Sequence, residues 1–176
     1  MPRNFFIFLK KQFGDKPLFG GEIGVKRGEN AEQIIAYLNI ERLYLVDLWL
    51  AYSDNILSGE REQGYASQKI MDSWYQETLQ KFKNDSRIFI LKKESIQIAS
   101  KFISSIFDFI YIDATHTYEA VLNDCIAWFP KLRSDGYLGG HDYFNKSTQV
   151  KKAVDDFALT IGKKVNSEGE DWWLTD

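Results

Sequence analysis

Phe107-Asp108-Phe109-Ile110-Tyr111-Ile112-Asp113-Ala114-Thr115-His116-Thr117-Tyr118 is the stretch on which the fold turns. Its first six residues are almost continuously apolar and close on an acid. A strand buried on both faces reads this way, because a parallel sheet is covered by helices on either side. Immediately beyond it Tyr118, Val121, Leu122, Cys125, Trp128 and Phe129 recur at helical spacing, and Pro130 stops the run. A buried strand feeding straight into an amphipathic helix is one half of a βαβ unit.

The same alternation extends in both directions. Downstream lie a strand over 137–140, then His141 and Asp142, a helix over about 147–160, and two short closing strands. Upstream, 94–103 reads as a helix and 87–91 as a strand. Met71, Trp74, Tyr75, Thr78, Leu79 and Phe82 trace one face of a long helix, preceded by a polar, aperiodic stretch over 50–64. Residues 42–48 form a strand. Ala31, Ile34, Ile35 and Leu38 mark a helix that Asn30, with Gln33 three residues on, would open as a capping box. Residues 18–25 are the first strand, and 3–13 an amphipathic helix built on Phe5, Leu9 and Phe13. The expectation is a doubly wound, mostly parallel α/β sheet in one domain over 1–176, with 1–17 as an N-terminal helix or lid segment. Stretch 49–64 and the N-terminal aromatics are expected to roof the pocket.

Composition narrows the partners. Of 176 residues, 27% are charged with a formal net charge of -3 and no basic stripe, so a nucleic-acid backbone is disfavoured as the main partner. The single cysteine, Cys125, closes no intramolecular disulfide and suits a reducing, cytoplasmic setting. The apolar run 5–9 ends at Lys10 and Lys11, too short for a signal core or a membrane span. Phe6 and Phe8 fit either the core or the contact of a homo-oligomer.

Ligands of open α/β sheets bind beyond the carboxyl ends of the strands, and there the acids gather. Glu22-x-Gly24-x-x-x-Gly28 sits at the first strand-to-helix turn. Lys26 and Arg27 replace the glycines of a dinucleotide turn, and an acid facing the turn repels a pyrophosphate but suits a ligand bearing an ammonium group. An ordinary βα turn is the competing reading. Asp47, at the tip of the second strand, can accept both hydroxyls of a ribose, or act as a cap. Glu94 and Ser95 stand where an adenine edge is held, with Ser95 equally suited to a helix cap. The only two histidines, His116 and His141, each fall within three residues of a strand-terminal aspartate, Asp113 or Asp142. Imidazole and carboxylate together suit a divalent metal, a general base, or both; a hydrogen-bonded structural histidine is the alternative.

The block from Phe107 to Asp113, then His116-Thr117-Tyr118-Glu119-Ala120-Val121, Asp124, Trp128, Pro130, Leu132, Gly136 and Gly140-His141-Asp142-Tyr143, resembles the class I S-adenosylmethionine (SAM)-dependent methyltransferases. The likeness is to the branch that contains small-molecule O-methyltransferases, including those acting on macrolide sugars. Glu22 to Gly28, Val46-Asp47-Leu48-Trp49 and Trp172-Trp173 extend the resemblance over most of the chain. It implies a seven-stranded sheet with the last strand antiparallel. Glu22 and Gly24 would line the methionine part of SAM, with Gly28 also in the cofactor site, Asp47 would hold the ribose, and Glu94 with Ser95 the adenine. Asp113 and Asp142 would bind magnesium, and Asp113 and His116 would act on the acceptor. His141 departs from the pattern, standing where relatives carry an acid. That shifts the metal at Asp113, His141 and Asp142 from magnesium toward manganese, iron or none.

Rival readings are weaker. An NAD-dependent oxidoreductase lacks its second glycine here. A nucleic-acid methyltransferase would carry Asn/Asp-Pro-Pro-aromatic where this chain has Asp113-Ala114-Thr115-His116. A SAM-binding domain without turnover would keep the fold alone.

Overall fold

The computed structural model describes residues 2–51 and 67–176. Among these residues six α-helices and seven strands follow one another as α1 (Asn4–Phe13), β1 (Leu18–Ile23), α2 (Glu29–Tyr37), β2 (Ile40–Asp47), α3 (Gln68–Phe82), β3 (Ile88–Lys92), α4 (Ser95–Ala99), β4 (Phe107–Ile112), α5 (Tyr118–Trp128), β5 (Leu132–Gly140), α6 (Val150–Ile161), β6 (Lys164–Glu168) and β7 (Asp171–Thr175). They build one sheet of order β3-β2-β1-β4-β5-β7-β6. β1 to β5 run parallel, and β7 pairs antiparallel with both β5 and β6.

Each face of the sheet carries a core. Phe5, Phe6 and Leu9 of α1, Ala31 and Ile34 of α2, and Met71 and Phe82 of α3 pack on one side. Ala99 of α4, Val121, Cys125 and Trp128 of α5, and Ala153, Val154 and Phe157 of α6 pack on the other. β4 lies between the two and is buried at every position, as its nearly continuous apolar pattern requires, and its one acid, Asp108, is paired with Lys16 and Arg133. Alternate residues serve opposite cores: Phe107 and Ile110 one, Phe109 and Tyr111 the other. The phase of that alternation slips once, at a bulge between Phe107 and Phe109 where β4 meets β5.

Several boundaries differ from the sequence reading. Asn30 is not the cap of α2. That place belongs to Gly28, in the left-handed conformation at φ 75°, and Asn30 turns inward to a buried polar network. A Cβ at Gly28 would also come within 2.8 Å of the Phe82 ring. The 94–103 helix is cut to Ser95–Ala99; Ile103, which would have extended its apolar face, is 74% exposed. β5 starts at Leu132 rather than 137, because Leu132 pairs with Phe107 ahead of the bulge. The N-terminal aromatics are core and not roof: Phe5 stacks on Tyr111 and Trp173, while Phe8 packs against Tyr137 and Trp173. Of the 49–64 stretch, residues 52–64 lie outside the described residues. Trp49 is buried and its indole N–H donates to the Lys26 carbonyl at 2.7 Å. No helix among the described residues is long and apolar enough to cross a membrane.

Candidate active site

Parallel register sets the site. Val46, Ile23, Ile112 and Gly140 align in one row across β2, β1, β4 and β5. One residue farther along each chain stand Asp47, Gly24, Asp113 and His141, so four separate segments converge on one edge. This is also where the strand order reverses, between β1 and β4.

Gly24 is required by the chain itself. At φ 87°, a Cβ there would fall 2.1 Å from the Asp113 carbonyl oxygen. The turns after β1 and β4 therefore touch, and no side chain separates them.

Asp47 is bound into that turn. Its Oδ2 accepts from the backbone N–H groups of Val25 at 2.8 Å and Lys26 at 2.9 Å, and its Oδ1 from Trp49 at 2.8 Å. A carboxylate has about four lone-pair sites, so one direction remains for a ligand hydroxyl among the described contacts. Glu94 is exposed at the start of α4. The Ser95 hydroxyl is committed elsewhere: it donates to Asp124 at 2.5 Å and accepts from the Trp128 indole at 2.8 Å. Ser95 is neither a side-chain cap nor a spare donor. Burial pushes its partner Asp124 up to about 6, against the pull of the Ser95 hydrogen bond.

His116 lies where the loops after β4 and β5 meet. Its Nε2 is 3.1 Å from Asp142 Oδ2 and 3.5 Å from Asp113 Oδ1. The following residue, Thr117, caps α5 by accepting from the Ala120 N–H, and the His116 carbonyl accepts from the Gln149 N–H. The imidazole is thus carried by a fixed backbone. His141 Nδ1 is 3.4 Å from the same Asp142 oxygen. Asp142 sits at φ 61°, a left-handed conformation that aspartate tolerates better than most residues, and accepts from the Asn145 amide at 3.0 Å. Burial opposes its charge, but hydrogen bonds from His141 and Asn145 and the nearby imidazoles outweigh it and hold the carboxyl at about 2. One ligand atom each from Asp113, His141 and Asp142 lies within 4.8 Å of the others, a spacing open to a single cation.

Three residues enter the site with no local sequence signal. Arg3, just ahead of α1, donates from Nε to Asn30 Oδ1 at 2.8 Å and from Nη2 to Asp113 Oδ2 at 3.3 Å. Asn30 in turn donates to Glu22 Oε1 at 3.1 Å. Asp171, buried at the start of β7, accepts from the Phe5 N–H and the Tyr111 hydroxyl, anchoring the first turn of α1. Glu22 itself is 1% exposed, and its Oε2 has no hydrogen-bond partner among the described residues. Glu22, an acid inside an otherwise apolar strand, did carry a signal in the sequence; Asp171, beside Glu170, did not.

A family model described as a methyltransferase domain matches residues 22–143. No curated protein sequence matches the chain. Among solved structures, the Podospora anserina methyltransferase PaMTH1 bound to S-adenosylhomocysteine (SAH) is similar at a TM-score of 0.65 and 14% identity, covering 98% of this chain and 77% of that one. The O-methyltransferase NovP gives 0.65 and 15%, covering 97% and 78%. The calicheamicin methyltransferase CalS11 gives 0.66 and 14%, covering 97% and 76%. At such identities the likeness is one of fold.

Proposed function

Since the chain belongs to the family of methyltransferase domains, we propose that it moves the methyl group of SAM to an oxygen of a small-molecule acceptor, assisted by a divalent cation. The observation that carries this reading is the position of His116 between Asp113 and Asp142, at the edge where Asp47 and Gly24 also converge. The O-methyltransferase activity in the name of NovP supports an oxygen acceptor. The acid-lined rim and the net charge of -3 favour a small molecule over nucleic acid.

The donor fits along β1 and β2. Glu22, Gly24 and Gly28 line its methionine end, Asp47 takes a ribose hydroxyl with its remaining lone pair, and Glu94 faces the adenine. Ser95 contributes there through its backbone, its hydroxyl being engaged. Methyl transfer is an in-line displacement: the acceptor oxygen bonds to the methyl carbon while the carbon–sulfur pair returns to sulfur, leaving a neutral thioether. Most of the catalysis is therefore alignment of the two reactants. The acceptor hydroxyl must also shed a proton, and His116 receives it at Nδ1, the nitrogen turned away from the carboxylates, while its Nε2–H stays directed at Asp142 and Asp113, which stabilise the imidazolium that results.

Asp113, His141 and Asp142 would hold the cation. Two carboxylates and an imidazole suit manganese or iron better than magnesium, which favours an all-oxygen set. When bound, such an ion acts as a Lewis acid that lowers the proton affinity of the acceptor oxygen. The test is calorimetry with SAH, followed by transfer of labelled methyl from SAM to a panel of hydroxylated small molecules with manganese or with chelator. Failure to bind SAH would remove the reading at its first step.

A further inference from the structure

Arg3 and Glu22, a base and an acid, are brought to the same edge, yet they do not pair. The Asn30 amide is interposed, its oxygen accepting from Arg3 and its nitrogen donating to Glu22. A direct ion pair would satisfy both groups. Instead Glu22 keeps a buried oxygen with no partner among the described residues, a costly arrangement unless a ligand supplies the missing donor. Arg3 has five N–H groups, of which two are engaged in side-chain hydrogen bonds among the described residues. Its side chain is 24% exposed and lies beside Asp113 at the site's edge. An acceptor and a donor of opposite charge, held one amide apart, complement a ligand that carries an ammonium and a carboxylate on one carbon.

We propose that Arg3 binds the α-carboxylate of the donor's methionine end while Glu22 takes its α-ammonium, the two being spaced and oriented by Asn30. This rests on the reading of the chain as SAM-binding and adds to it a residue from outside the matched domain segment. The guanidinium is preorganised for the task. Asp171 Oδ1 lies 3.7 Å from Nη1, and the Tyr111 ring lies under the guanidinium, 5.6 Å from carbon to centroid. Asp171 is itself fixed by Phe5 and Tyr111, so little side-chain freedom is lost on binding. The planar fork also matches a carboxylate in two-point contact, which a lysine does not.

Calorimetric titration of the full chain with three ligands tests it: SAH, its decarboxylated analogue, and 5′-methylthioadenosine. The wild-type protein should bind SAH roughly ten- to a hundredfold more tightly than the decarboxylated analogue, the scale of a charge-assisted hydrogen-bond pair. Arg3→Ala should bring SAH down to the level of the decarboxylated analogue and leave that analogue's affinity unchanged. Arg3→Lys should recover only part of the difference. Equal wild-type affinity for SAH and its decarboxylated form would overturn the role of Arg3, and that arm needs no variant to fold. So would a loss in Arg3→Ala that is equal for both ligands. If neither SAH nor 5′-methylthioadenosine binds, the donor reading itself falls, and this proposal with it.

Discussion

His116 Nε2 lies 3.1 Å from Asp142 Oδ2, bridging the loops that follow β4 and β5. Hydrogen bonds and nearby imidazoles keep Asp142 ionised down to about pH 2, so this carboxylate orients the ring throughout the working range. His116→Ala should lower single-turnover methyl transfer by about 10²–10⁴-fold, the usual worth of a general base. SAH affinity should stay within a few-fold of wild type. A rate within a few-fold of wild type in a folded variant would leave His116 a structural residue.

The cation should follow the chemistry of its donors. Calorimetry should show manganese binding more tightly than magnesium, and Asp142→Asn should abolish both by removing a charged ligand. His141→Asp should reverse the order toward magnesium by restoring a third oxygen donor. Methyl transfer that survives chelation unchanged, with no metal heat in either titration, would take the cation out of the reaction.

Asp47 does two jobs that separate cleanly by measurement. Its three backbone hydrogen bonds brace the turns after β1 and β2 before any ligand arrives. Asp47→Ala should therefore destabilise the free protein by about 2 kcal/mol or more, since charge-assisted hydrogen bonds are lost and backbone N–H groups are left unmatched. It should also weaken SAH by roughly ten- to a hundredfold. Asp47→Asn keeps the shape and part of the bracing, so its melting temperature should recover more than its affinity. A stability loss with unchanged SAH binding would assign Asp47 to the turn alone.

The sheet was legible because strand-length apolar runs closed repeatedly on acids: Asp47, Asp113 and Asp142 each follow from local pattern. Asn30 shows where local pattern misleads. Its place before an amphipathic run is also what a capping residue looks like, and only the fold reveals that it faces Glu22 and Arg3. Ser95 is similar; its hydroxyl answers to Asp124 and Trp128 on α5, across 29 and 33 residues. Arg3 and Asp171 reach the site from opposite ends of the chain. Their pairing depends on α1 docking beside β7, and no spacing rule encodes it.

Glu22 should couple stability, binding and pH. Burial pushes its carboxyl up; the Asn30 hydrogen bond and Arg3 pull it down, Asp113 and Asp47 push it up, and the result is about 8 against an ordinary 4.5. The folded protein therefore holds this proton more tightly than the unfolded chain does. The corresponding stability is fully present below about pH 4.5, falls as pH rises toward 8, and is flat beyond. The full loss is on the order of 4 to 5 kcal/mol at about 1.4 kcal/mol per unit, an upper figure for a single buried acid. Glu22→Gln should abolish this slope and leave the variant more stable than wild type at pH 8.5. Binding should run the other way. A ligand ammonium favours the ionised carboxylate, so wild-type affinity for SAH should rise from pH 6 toward 8 with release of a proton. The rise should flatten near 8, where α-amino groups begin to lose their own proton. Glu22→Gln should bind SAH more weakly and without that pH dependence. Chemical denaturation across pH and calorimetry in buffers of different ionisation enthalpy measure the two effects. A wild-type SAH affinity that is flat from pH 6 to 8 and matched by Glu22→Gln would show that Glu22 does not meet the donor's ammonium.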